Sequence, residues 1–367
     1  WKCLPVWRQR RLRTPSSSQV REAFPRTLSV LRRYRIGGSR LSGPGLASAS
    51  EVVRWLVGVQ AENYAQASWA VASRTTGLSE SEFARSFADG EILRTHVLRP
   101  TWHFVHPDDI RWLLELTRPR VVRTFRSLER ELDLDDRVVA AAADVIAGAL
   151  NGGRHLARAE LGERLRPHGL PSSGRGLMVV VAHAELDGLI CSGAPSGKDH
   201  TYALLDERAP GSRSMERADA LAELALRYFR GHGPATERDL AYWATLTLTD
   251  VRAGLAAIGD QLDSFVHDGR TFFVGEPASA SPPEPRGHLL QIFDEFYRGY
   301  QDSRRVLDAD GRLAPGREAS AGMAVVDGQV VGSMVRRIET AGVTFEVTPL
   351  LPLDDDEQEV LRGAALR

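Results

Sequence analysis

Hydrophobic and polar positions follow a pattern that occurs three times along the chain. Each copy has the apolar spacing expected for helices, followed by short apolar runs expected for two strands joined by a turn. In the third copy we expect Thr236 and Thr249 to cap two helices. Asp268-Gly269 in the same copy is a strong signal for a β-hairpin turn. The repeat is therefore helical first and ends in a hairpin.

The first copy is predicted to contain helices over residues 51–59 and 64–73. Ser79 is followed three residues later by Glu82, which is the pattern of a capping box at the start of a third helix. Residues 92–105 then read as two strands with a turn between them. The corresponding helices and strands of the second copy are predicted at residues 138–150, 156–165, 176–186, 189–191 and 201–204. Helices followed by a hairpin are typical of the winged helix, a variant of the helix-turn-helix.

The repeats divide the chain into three predicted winged-helix units and a C-terminal part. Residues 276–285, rich in Pro, Ser and Ala, are typical of a linker. After the linker we expect a meander of strands with Asp327-Gly328 as a tight turn, and a helix at the end. The predicted class is mainly α with β-hairpin wings (α+β), with a small β-rich C-terminal region. The predicted domains are residues 27–134 (with a connecting helix), 135–213, 214–275 and 286–367.

Residues 1–26 differ from the rest of the chain, because a basic stretch is followed by a polar run. They lack the apolar segment of a signal peptide. Since no initiator Met is present, we expect a wrongly placed gene start or a fragment, and we interpret the segment as a disordered or spurious extension. A basic DNA-contacting arm is the alternative. We also expect that the chain stops short of its natural C-terminus.

The composition favours a folded protein, with 43% hydrophobic and 26% charged residues among 367. No apolar run approaches the roughly 18–20 residues of a membrane span. The two cysteines, Cys3 and Cys191, form no CxxC pair, which fits a reducing, cytoplasmic setting. Histidine spacing indicates no metal site, and no cofactor is predicted. Because the net charge is −1, DNA binding would require local clusters of arginine.

A first candidate site lies in the polar segment Val59–Tyr64, at a predicted junction between two helices. Gln60 and Glu62 are about 200° apart on a regular helix, so they converge only if the backbone breaks between them. Gln60 could orient a water molecule, and Glu62 could take its proton or offset a positive charge. A solvent-exposed polar turn is the alternative, which composition alone favours.

A second candidate site is the donor-rich strand segment 93–104. Alternation places Arg99 and Thr101 on one face with Thr95 and Val97, and it places Arg94 and His96 on the other. Such a segment suits phosphate binding or the rim of a polar pocket, and a polar edge strand is an equal alternative. Further basic candidates are Arg123, on a predicted helix face with Arg126 and Arg130, and Lys198 in a wing loop. The candidate DNA contacts are Arg94, Thr95, His96, Arg99, Thr101, His103, Arg123 and Lys198.

A third candidate lies just after the linker, where residues 293–302 mix acidic and aromatic side chains. Asp294 and Tyr297 are the residues that we expect to close over a site from the C-terminal part. The alternative is a packing junction whose aromatic residues are buried, and composition slightly favours it.

Taken together, these motifs resemble the AlkZ/YcaQ family of winged-helix DNA glycosylases. The resemblance covers about residue 27 to the end. It is carried by the run from Leu56 to Glu62, by Arg94-Thr95 with Arg99-Pro100-Thr101-Trp102-His103, and by Phe293-Asp294-Glu295 with Gly299-Tyr300. The family's catalytic motif is Gln-x-Gln or Gln-x-Asp, which here is Gln60-Ala61-Glu62. This longer carboxylate, and Pro100 where a Gly is usual, indicate a distinct subgroup.

The resemblance implies a concave array of winged helices that excises alkylated bases, including bulky and cross-linked ones. Gln60 and Glu62 would be catalytic, the partner would be duplex DNA, and neither metal nor cofactor would be needed. We expect a monomer. Two other classes stay open, namely a non-catalytic regulator or chromatin-type DNA binder and a winged-helix protein scaffold.

Overall fold

The computed structural model describes residues 27–275, 284–314, 316–339 and 342–366. The basic extension of residues 1–26 and nearly all of the linker 276–285 lie outside the described residues. Within the described ranges, helices and antiparallel strands are mixed, as expected for an α+β protein. None of the helices in these ranges is long and apolar enough to cross a membrane.

The first repeat joins three helices to a three-stranded antiparallel sheet with the order β1-β3-β2. Ser48 and Asn63 cap α2 and α3, and Ser79 with Glu82 forms the predicted capping box of α4. The helix α1 precedes this repeat. The elements are α1 (Leu28–Gly38), α2 (Ala49–Leu56), β1 (Val59–Gln60), α3 (Tyr64–Ala72), α4 (Glu80–Asp89), β2 (Leu93–His96) and β3 (Trp102–Val105).

The first candidate motif lies between the helices α2 and α3, as predicted, but this junction contains a short strand that was not predicted. The helix α2 ends at Leu56, and Val57 then takes a positive φ of 67°. Val59 and Gln60 pair with β3, so the backbone is extended where the first candidate motif begins. Glu62 lies beyond the strand, in a bend before α3. The backbone between Gln60 and Glu62 is therefore not helical, which is the condition that the predicted convergence requires.

The second repeat has the same order of elements and the sheet order β4-β6-β5. Two helices, α5 (Ile110–Val121) and α6 (Arg126–Glu131), lead into it. A 3-10 turn at Val122–Thr124 separates them, so Arg123 does not share one continuous helix face with Arg126, and that prediction is wrong. The elements are α7 (Asp136–Leu150), β4 (Leu156–Ala157), α8 (Arg158–Leu165), α9 (Gly174–Leu186), β5 (Ile190–Ser192), β6 (Thr201–Leu204) and α10 (Leu205–Arg208).

In the third repeat the helices are followed by a two-stranded hairpin and a single bridge between Ala235 and Phe273. Thr236 caps α12 as predicted, but the cap of α13 is Thr247. Thr247 forms a capping box with Asp250, and Thr249 lies inside the first turn, so the prediction of Thr249 is wrong. The elements are α11 (Arg217–His232), α12 (Glu237–Trp243), α13 (Leu248–Ile258), β7 (Asp263–His267) and β8 (Arg270–Val274).

The C-terminal region is an antiparallel sheet of order β12-β11-β10-β9 with a helix packed against it. Both predicted hairpin turns are confirmed. Asp268-Gly269 has φ values of 48° and 69°, and Asp327-Gly328 has 48° and 76°, so each pair has the two positive φ angles of a type I′ turn. The elements are β9 (Gly287–Leu290), α14 (Glu295–Arg298), β10 (Gly322–Val326), β11 (Gln329–Glu339), β12 (Gly342–Pro349) and α15 (Asp355–Ala365).

A buried ion pair fastens the C-terminal region to the first repeat. Arg74, just after α3, donates to Asp294 Oδ1 at 2.7 Å and to Oδ2 at 3.0 Å. Arg74 also donates to the backbone oxygens of Ser39 and Ala70. Both charged side chains are almost completely buried, so each one compensates the charge of the other in the absence of water.

We expect Asp294→Asn to lower the free energy of unfolding by about 3–5 kcal/mol, because it leaves the buried Arg74 guanidinium without its counter-ion. Urea denaturation measures this. Glu163→Gln is the matched control, since Glu163 forms a similar pair with Arg166 at 2.8 Å on the surface. The control should change stability by less than about 1 kcal/mol. Equal effects of the two substitutions would contradict the role given to the buried pair.

Candidate active site

The outer edge of β1 meets a carboxylate from the C-terminal region. The backbone N–H of Gln60 donates to Glu295 Oε1 at 2.8 Å, and the indole N–H of Trp243 donates to Oε2 at 2.7 Å. Because β1 is an edge strand, this N–H has no strand to pair with and would otherwise be buried without a partner. Glu295 thus joins the first repeat, the third repeat and α14 at one point.

The side chain of Gln60 is held by two arginines. Its Oε1 accepts from Arg99 at 3.0 Å and from Arg298 at 3.3 Å. Only the amide oxygen can accept hydrogen bonds from guanidinium groups, so the orientation of this amide is settled by its neighbours. Among the described residues, nothing forms a hydrogen bond with Gln60 Nε2. Its two N–H donors therefore have no described partner, although the side chain itself is buried.

Glu62 follows β1 and is half-buried. Its Oε1 accepts from the backbone N–H of Trp102 at 2.9 Å. The strand pairing continues through Ala61, whose N–H donates to the Trp102 carbonyl at 2.7 Å. Glu62 itself lies in a bend between β1 and α3, two positions after Gln60. The segment thus carries an amide donor and a carboxylate two positions apart, and their convergence on one ligand stays a prediction.

The two arginines of the second candidate segment are buried and bonded within the protein. Arg94 donates to the carbonyls of Ala61 at 2.9 Å and Glu62 at 3.3 Å, and its guanidinium lies 4.3 Å from the centre of the Trp102 ring. Arg99 donates to the Trp243 carbonyl at 2.9 Å as well as to Gln60. A phosphate contact from either arginine would require these bonds to break. Their DNA contacts stay a prediction.

The predicted alternation of faces is limited to β2, because the strand ends at His96 and Leu98 takes a positive φ of 64°. All four residues of β2 are buried, so neither face is solvated. The second repeat covers its free edge, where the N–H of Arg94 donates to Ser192 Oγ at 2.8 Å. Thr95 is fully buried, and His96 Nδ1 lies 2.5 Å from Glu185 Oε2. His96 therefore belongs to an interface between the first and second repeats, and Thr95 lies in the buried interior.

Thr101 lies in the turn before β3, and His103 lies in β3. His103 Nδ1 is 3.0 Å from the Thr101 carbonyl, and neither Thr101 Oγ1 nor His103 Nε2 has a hydrogen-bond partner among the described residues. Burial, aided by the positive charge of Arg99, lowers the pKa of His103 to about 3. His103 is therefore neutral, with Nδ1 as the donor and Nε2 as a free acceptor.

The remaining predicted residues lie elsewhere. Arg123 is exposed in the 3-10 turn and Lys198 is exposed in the loop between β5 and β6. Neither has a described contact with Gln60 or Glu62. Asp294 is engaged with Arg74, and Tyr297 is buried under the Arg304 guanidinium, 4.7 Å from its ring centre.

The carboxylate that reaches the Gln60 strand is Glu295, the neighbour of Asp294. Although the motif in residues 293–302 pointed to this segment, no periodicity in a helix of one turn tells which of two adjacent acids faces the site. Burial alone would raise the pKa of Glu295, but His232, with Nε2 3.7 Å from Oε2, and Arg99, 3.7 Å from Oε1, outweigh it. They hold the pKa well below its usual range, so Glu295 is an anion. Trp243, Arg298 and His232 were not singled out in the sequence.

The family model for DNA glycosylase AlkZ-like proteins matches residues 53–367, which include every part of this site. The chain belongs to the AlkZ-like DNA glycosylase family. The resemblance seen in the sequence motifs is thereby confirmed. An interstrand DNA cross-link repair glycosylase from Streptomyces sahachiroi is 29% identical over 335 residues, covering 86% of this chain and 90% of the relative. The solved structure of Streptomyces sahachiroi DNA glycosylase AlkZ superposes with a TM-score of 0.72 at 25% identity, covering 92% of this chain and 96% of that one.

The surroundings of His103 and His200 predict that this AlkZ-like protein loses stability in acid. Burial lowers the pKa of both His103 and His200 to about 3, so they stay neutral in the folded state. In the unfolded chain they take up a proton below about pH 6.5. The unfolded state then binds more protons, so stability is lost as pH falls from about 6.5 toward 3.

We expect His103→Gln to reduce this loss, by at most about 1.4 kcal/mol for each pH unit below 6.5. Urea denaturation at about pH 7.5 and pH 5.5 measures the difference while most carboxylates stay ionised. His168→Gln, at an exposed histidine, should keep the wild-type difference. An unchanged difference in His103→Gln would show that His103 is not neutral in the folded protein.

Proposed function

We propose that this chain is a DNA repair glycosylase that hydrolyses the N-glycosidic bond of N7- or N3-alkylated purines in duplex DNA, bulky and cross-linked adducts included. The observation that carries the proposal is that Gln60, whose amide donors have no described partner, and Glu62 lie two positions apart on a non-helical segment next to β3. Membership of the AlkZ-like family supports the reaction. The name of the Streptomyces sahachiroi relative, a cross-link repair glycosylase, supports the class of lesion.

The chemistry needs little from the protein. Alkylation at N7 or N3 makes the base a cationic leaving group, so the bond from C1′ to the base nitrogen is already weak. The enzyme has to stabilise an oxocarbenium-like sugar and to position a water molecule, as glycoside hydrolases do. No metal or redox group takes part in this scheme.

Gln60 and Glu62 divide these tasks. Arg99 and Arg298 turn the Gln60 oxygen inward, so its Nε2 donates to a lone pair of the attacking water. The hydrogens of that water are then directed to Glu62. As the C1′–N bond breaks and its electrons pass to the base, the water oxygen bonds to C1′ and Glu62 takes the proton. The Glu62 carboxylate also offsets the positive charge on the sugar.

We further propose that each repeat is a winged helix and that the three units, with the boundaries predicted above, form a concave DNA-binding surface. The first two repeats share the order helix, strand, helix, helix, hairpin and a three-stranded sheet, and the third has the same helices and hairpin with a single bridge in place of the strand, which supports this proposal. Arg123 and Lys198 are exposed and would contact the DNA backbone. A monomer acting in the cytoplasm stays a prediction.

A non-catalytic DNA-binding regulator is the second candidate. The hydrogen bond from the Trp102 backbone to Glu62 favours it, because that bond would serve a purely structural carboxylate equally well. The two candidates differ in whether the protein releases a base.

We expect Glu62→Ala to slow the release of N7-methylguanine from duplex DNA by about 10²–10⁴-fold, because no other group of the pair can take the proton of water. Glu62→Gln should retain part of the rate on labile lesions. Single-turnover assays measure release, and duplex affinity should change little. Glu82→Gln is the control, since this carboxylate also accepts a backbone N–H, from Ser79 at 2.8 Å, but at the start of α4.

Equal release by wild type and folded Glu62→Ala would remove Glu62 from the mechanism. No release by wild type across several alkyl lesions would favour the regulator.

We expect duplex binding to weaken with salt and to weaken further in Arg123→Ala and Lys198→Ala. Each lost phosphate contact should reduce the slope of log affinity against log salt by about 1. Binding curves between about 50 and 200 mM salt measure the slope. Arg166→Ala is the control, because this exposed arginine is already paired with Glu163. Wild-type affinity that does not depend on salt would exclude phosphate-driven binding.

A further inference from the structure

We infer that Glu185, on α9 of the second repeat, is a positioning residue for Glu62 and acts through Trp102. The inference rests on the proposed function, in which Glu62 accepts the proton of the attacking water. Glu185 itself makes no contact with Glu62. It determines where Trp102 lies, and the backbone N–H of Trp102 determines where the Glu62 carboxylate lies.

Trp102 is held at both ends. Its backbone N–H donates to Glu62 Oε1 at 2.9 Å. Its indole N–H donates to Glu185 at 3.1 Å from Oε1 and 3.3 Å from Oε2. Glu185 is completely buried, so this acceptor is not shared with water. A shift of the indole would rotate the start of β3 and move the donor that Glu62 uses.

Two further side chains make this arrangement rigid. His96 lies 2.5 Å from Glu185 Oε2, and its ring centre is 4.6 Å from that of Trp102. Arg94 lies over the Trp102 ring and donates to the carbonyls of Ala61 and Glu62. Arg94 therefore links the backbone that carries Glu62 to the Trp102 ring. Glu185, from the neighbouring repeat, binds both Trp102 and His96.

Packing alone gives no reason for a carboxylate at this position. The residues beside it on α9, Ala184 and Leu186, are buried and apolar. An apolar side chain would avoid the cost of removing a charge from water. The same helix carries a second pair of this type, since His183 Nε2 lies 2.7 Å from Glu129 Oε1. That pair reaches α6 and has no link to Glu62, so it provides a matched control.

The test combines base release with amide hydrogen exchange. We expect Glu185→Leu and Trp102→Phe each to lower the single-turnover rate of N7-methylguanine release by about 10–100-fold, the range typical when a group that orients a reactive residue is lost. Duplex affinity should stay within about twofold. The double variant should be no slower than either single variant, because both remove the same hydrogen bond. Glu185→Gln keeps an acceptor oxygen and should recover most of the rate.

The backbone amide of residue 102 should exchange faster in Glu185→Leu and Trp102→Phe than in wild type, because its hydrogen bond to Glu62 is weakened. Glu129→Gln should leave both the rate and this amide unchanged. In a Glu62→Ala background, Glu185→Leu should have no further effect on release. If Glu185→Leu does not fold, Trp102→Phe carries the same test.

Wild-type rate and exchange in a folded Glu185→Leu would overturn the inference, and so would an undiminished effect in the Glu62→Ala background. If wild type releases no base but Trp102 exchange still depends on Glu185, the proposed function fails while the positioning contact stands. If neither release nor exchange behaves as expected, both fail.

Discussion

The arrangement of the site depends on one buried carboxylate that satisfies one backbone N–H. Glu295 accepts from the outward N–H of Gln60, which the edge strand cannot satisfy by itself. A carboxylate can stay ionised without water only if donors and positive charge surround it. Trp243 provides a donor and Arg99 a positive charge, and they come from different repeats. The same requirement brings Arg99 to the oxygen of Gln60, so the orientation of the amide follows from the burial of the charge.

Several arginines near the site serve to hold the protein's own backbone segments together. Arg74, Arg94 and Arg99 are buried and donate to carbonyl oxygens and carboxylates inside the protein. A planar guanidinium with five donors can hold several backbone segments together, which a lysine cannot do. The near-neutral net charge of the chain fits this internal use, since each buried arginine near Glu295 and Asp294 is balanced by an acid.

Much of the fold could be predicted from local sequence signals. The capping box at Ser79 and the two Asp-Gly turns lie within a few residues, so their chemistry is visible in the sequence. The short strand β1 was missed because it has only two residues between two helices, too few for any periodicity. For the site, the motif around Gln60 and Glu62 was found. Glu295, Trp243 and Glu185 were not assigned a role, because their partners are distant in sequence and burial decides which side chain points inward.

The bond between Gln60 and Glu295 joins residues that are 235 positions apart in the chain. During synthesis, the strand that bears Gln60 emerges long before the residue that satisfies it, and closing so large a loop is entropically costly. The first two repeats can therefore acquire their local structure while the Gln60 amide is still unoriented. The site is complete only after the last quarter of the chain has been synthesised. A prematurely terminated product would therefore contain Gln60 and Glu62 without the contact to Glu295 that orders them.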